Sequence, residues 1–71
     1  MTPASEQVIG ELIVKWDNRG RDALFHMNEC LVLARDATHP RAKGYFRKTA
    51  NDHWNRARLA FKMVRKLRNG N

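Results

Sequence analysis

From Ile9 onward, apolar or small side chains recur three or four positions apart, at Ile9, Leu12, Ile13, Trp16, Gly20, Ala23, Leu24, Met27, Cys30, Leu31 and Ala34. That interval is the period of one helix face turned toward a core. A second set with the same interval runs through Phe46, Ala50, His53, Trp54, Ala57, Ala60, Phe61, Val64 and Leu67. Nowhere does the chain alternate as a strand would. Between the two sets lies Asp36-Ala37-Thr38-His39-Pro40. There proline disfavours helical geometry at His39 and is welcome at the first position of a new helix.

The ends carry matching signals. Thr2 before Pro3 suits an N-cap with proline at the first helical position, and Glu6 adds negative charge to the first turn. Asn69-Gly70-Asn71 has the character of a C-cap. The pattern predicts an all-α domain over 1–71, with a helix over about 3–36, a turn over 37–40 and a helix over about 41–68. Asp17-Asn18-Arg19-Gly20 resembles a turn, and a break there would give a three-helix bundle instead. A continuous helix is favoured, because the stripe keeps its phase through Gly20. Glu11/Lys15 and Asp17/Arg21 are also oppositely charged i,i+4 pairs across the same region.

Two helices joined by a short turn form an antiparallel hairpin, in which facing residues have numbers summing to about 77. This sets Trp16 near Phe61, Gly20 near Ala57 and Ala23 near Trp54, so that large side chains meet small ones. It also places Trp16, Trp54, Phe46 and Phe61 in the seam as core. A lone hairpin leaves much of each stripe wet. Phe25, Tyr45, Leu59 and Met63 are the expected interface residues, and a homodimeric four-helix bundle is the expected way to cover them. The single cysteine, Cys30, cannot staple so short a chain internally, which again favours self-association.

Charge changes the picture most. Residues 1–38 hold four basic side chains against six acidic ones, a net −2, whereas residues 39–71 hold ten against Asp52 alone, a net +9. Such a field attracts polyanions and speeds encounter with them. Arg58, Lys62 and Arg65 share one helical face, Lys48 and Asn55 continue it upstream, and Arg47 and Lys66 add to it. Cations along a rigid rod can neutralise successive phosphates, while Asn51 and Asn55 can donate to phosphates or bases. Glu11, Asp17, Asp22 and Glu29 form a solvated charge ladder, also placed to neutralise the basic helix beside it.

Other chemistry finds little support. The one serine, Ser5, lies near the terminus, and Cys30 sits in an apolar stretch where a thiol is normally inert. Gly10, Gly20, Gly44 and Gly70 are isolated, so no phosphate loop exists. His26 and Cys30 share a face and His53 is brought close by the register, but no paired cysteine motif supports a metal there. No enzyme activity, cofactor or metal is expected. The longest apolar runs, 12–14 and 31–34, fall far short of the ~18 residues that span a bilayer, so a cytoplasmic protein is expected. The expected function is a small basic binding protein that contacts a nucleic-acid backbone through its second helix. The alternative is a small regulator or inhibitor, of the kind mobile elements encode, that docks on an acidic protein face or captures an anionic ligand.

Overall fold

The computed structural model describes residues 3–70, with side chains from Ser5 onward. It is an antiparallel two-helix hairpin, α1 Pro3–Asp36 and α2 Pro40–Arg68, with no strand among the described residues. The capping role read at Thr2 lies outside them. α1 runs through Asp17–Gly20 without a break, so the three-helix arrangement does not form. No helix among the described residues is long and apolar enough to cross a membrane.

The turn follows from its residues. His39 is extended (φ −88, ψ 131) and caps α2, its Nδ1 accepting from the Arg41 backbone N–H at 3.1 Å. Pro40 opens the helix one residue earlier than the pattern places it, its fixed φ being already helical. Lys43 reaches back across the turn, and its Nζ donates to the carbonyls of Ala34 (3.2 Å) and Arg35 (3.4 Å). Those oxygens belong to the last turn of α1, where the helix has acceptors to spare and its dipole favours a cation. At the far end Gly70 adopts φ +73, a left-handed turn that a side chain would resist.

The seam is narrow and built of small residues. Gly20, Ala23, Ala34, Ala50, Ala57, Ala60 and Val64 are buried, and no large side chain is fully buried. Phe61 lies across Gly20 so closely that a Cβ there would stand 2.6 Å from its Cζ. Large meets small as expected, with Phe61 lying against Gly20. The aromatics expected as core are only partly so: Trp16, Phe46 and Phe61 are half-buried, while Trp54 is 44% exposed. Two straight helices in one layer bury only the lines along which they touch. The result is a slab whose backbone measures 56 × 15 × 11 Å, with a radius of gyration of 16.3 Å. A globular chain of this length would have about 11 Å.

Candidate nucleic-acid interface

The slab has two broad sides, and four of the ten cations of α2 line one of them. Arg47, Trp54 and Phe61 succeed one another at seven-residue intervals, as do Asn51, Arg58 and Arg65, so both rows run down the same flank. Asn55, Arg58, Lys62 and Arg65 line one groove of about 550 Å³, together with Trp54, Leu59 and Phe61. Arg47 and Asn51 line an adjoining groove of about 260 Å³ with Met27, Leu31, Ala50 and, again, Trp54. Trp54 therefore joins the two into one strip, with an aromatic floor and a cationic rim. Lys48 and Lys66 are exposed but line neither groove.

The first helix does not neutralise that strip, contrary to the expectation drawn from its acids. Asp17 accepts from Arg21 at 2.9 Å, and Asp36 from its neighbour Arg35 at 3.0 Å. Glu29 stands 3.7 Å from His26, an ion pair only when the ring is protonated, and Glu11 takes the Gln7 amide at 3.4 Å in place of Lys15. The hydrogen bond and charge of Asp36 raise the Arg35 guanidinium above its ordinary value, so this exposed cation stays charged. Carboxylates held within α1 by neighbours along the same helix do not reach across the seam. Among the described residues no carboxylate pairs with a basic side chain of α2.

The structure brings Asn55, Arg58, Lys62 and Arg65 together, with Arg47 next door. Tyr45, Leu59 and Met63 lie on α2, whereas Phe25 lines a groove on α1 with Asn28, Glu29, Val32 and Leu33. Trp54, expected in the seam, precedes Arg58 by four and follows Arg47 by seven, a spacing that places it in the cationic flank. Lys43, one of the ten basic side chains of the second half, is held by carbonyls of α1.

The histidines do meet: the rings of His26 and His53 lie with centroids 5.4 Å apart. Cys30, a half-buried free thiol, does not complete the set, and no group of three His, Cys, Asp or Glu among the described residues is placed to hold a metal ion. Comparison with protein families, with characterised proteins and with solved structures finds no match to this chain.

Proposed function

We propose that this protein is a non-catalytic binding protein whose second helix holds the backbone of a nucleic acid, working in the cytoplasm as a homodimer. One observation carries the reading. Arg47, Arg58, Lys62 and Arg65 line a continuous strip with Asn55 and Trp54, and among the described residues no carboxylate pairs with them. Unpaired cations on one side of a rigid rod act in register on a phosphate chain and release its counterions. Asn55 and Asn51 add hydrogen-bond donors, and the exposed indole of Trp54 offers a surface for a base. The test is a mobility-shift assay on mixed-sequence DNA and RNA across a salt series. Affinity should fall steeply with salt, and no binding at low salt would remove the reading.

A second reading, docking on an acidic face of another protein, draws on Phe25, which is 63% exposed in the groove it shares with Val32 and Leu33. Capture from extract after nuclease treatment separates the two. A stoichiometric protein retained after nuclease favours regulation, and loss of all bound material favours nucleic acid.

A further inference from the structure

We infer that the other broad side of the slab is where a second copy of this chain docks, face to face across a two-fold axis. This adds a surface and a symmetry to the homodimer proposed above, and it is tested without nucleic acid. That side is defined by a groove of about 410 Å³ between Trp16, Arg19, Ala23 and His26 of α1 and His53, Arg56, Leu59 and Ala60 of α2. Leu12, Arg19, His26 and Leu33 run along its α1 edge at seven-residue intervals. Along its α2 edge, Tyr45, Asp52 and Leu59 form one such row, and Arg56 and Met63 another. Leu12, Leu33, Tyr45, Leu59 and Met63 are between 36% and 66% exposed there.

Area points to an obligatory cover. The chain exposes 5659 Å². A compact monomer of 8.3 kDa would expose about 4,600 Å². The excess, about 1,100 Å², is of the order of the ~800 Å² that each partner contributes to a stable interface of ordinary size. The hairpin is thus short of burial by about one interface, and a seam of alanines with a single valine offers no internal remedy.

Charge identifies the occupant and the side. In a two-fold interface the same surface meets itself, so it must be self-complementary. On this side Arg19 and Arg56 are matched by Asp22 and Asp52, a neutral set that a second copy can answer with its own. The opposite side fails that condition. It carries apolar residues on α1, Val14 and Leu31, but stacking two copies there would set Arg47, Arg58, Lys62 and Arg65 against their own duplicates. Leu59 borders both grooves; docking through the neutral side covers it and Met63 and leaves Arg47, Arg58, Lys62 and Arg65 of both copies in solvent.

The experiment is sedimentation velocity of the full chain, free of nucleic acid, at tens of micromolar and at low and high salt. The wild type should sediment at twice 8.3 kDa. A monomer under these conditions overturns the inference. Leu59→Glu with Met63→Glu should give monomer, and Val14→Glu should leave the dimer intact. The reverse pattern would place the interface on the wrong side. Because apolar-to-charged changes can unfold a chain, exposed charges provide the decisive arm. Arg19→Glu with Arg56→Glu, and separately Asp22→Arg with Asp52→Arg, should each weaken self-association at least tenfold at low salt while keeping helical circular dichroism. An equimolar mixture of the two should recover the dimer. Failure of the mixture to associate, with both variants helical, also overturns the inference. A dimer that binds no DNA or RNA would sink the nucleic-acid reading and leave this one standing.

Discussion

Gly20→Ala is the sharpest test of how the two helices are held, because two effects of opposite sign meet at one atom. In a solvent-exposed helix the change would stabilise by about 0.8–1.0 kcal/mol, through intrinsic propensity alone. Here the added methyl would lie 2.6, 2.7 and 3.0 Å from ring carbons of Phe61. All three separations are well inside van der Waals contact, so the ring must swing out or the helices must part. Overfilling a packed contact costs about 1–3 kcal/mol. The overpacking term exceeds propensity, and the net loss should be roughly 1 kcal/mol, a fall of about 4–8 °C in midpoint for a chain of this size. Urea and thermal unfolding followed by circular dichroism at matched concentrations measure it, concentration being fixed because association shifts apparent stability. The diagnostic is a reversal of sign. In a Phe61→Leu background the ring carbons are gone, and Gly20→Ala should stabilise by up to about 1 kcal/mol. If Gly20→Ala stabilises the wild type by that amount, Phe61 does not pack on Gly20 and the seam described above is wrong.

Three further outcomes follow from the same geometry. Four cations acting on duplex DNA give a slope of log affinity against log salt near −3.6, a loss of roughly 150-fold between about 50 and 200 mM salt. Arg58→Gln with Arg65→Gln should halve the slope and cut that loss to roughly 12-fold, whereas an unchanged slope would remove both residues from the contact. Trp54→Ala should weaken single-stranded binding by about 1–3 kcal/mol and leave duplex binding nearly intact. In a Trp16→Phe background, the fluorescence of Trp54 should be quenched by single-stranded oligonucleotide, and equal effects on both nucleic acids would argue against base stacking. Lys43→Met removes the donor to the Ala34 and Arg35 carbonyls and should lower stability by about 1 kcal/mol. Chemical denaturation reads this loss directly, and no change would mean that water serves those carbonyls equally well.

The sequence alone carries the two helices, their bounds within a residue, the turn at Pro40 and the sign of the charge on each half. All of these depend on local periodicity, on capping and on proline geometry, which act over a few residues and ignore the partner helix. It also determined that Asn55, Arg58, Lys62 and Arg65 share one flank, since residues on a rigid helix keep their relative directions. The remaining features depend on register and on the narrowness of the contact. Phe61 settles on Gly20 because that is where the opposing backbone leaves room for a ring. Trp54 is left exposed beside the arginines because two helices in a single layer shield little more than alanine-sized side chains. Asp17, Glu29 and Asp36 stay on α1 because their partners are one turn or less away, and among the described residues no carboxylate pairs with Arg47, Arg58, Lys62 or Arg65.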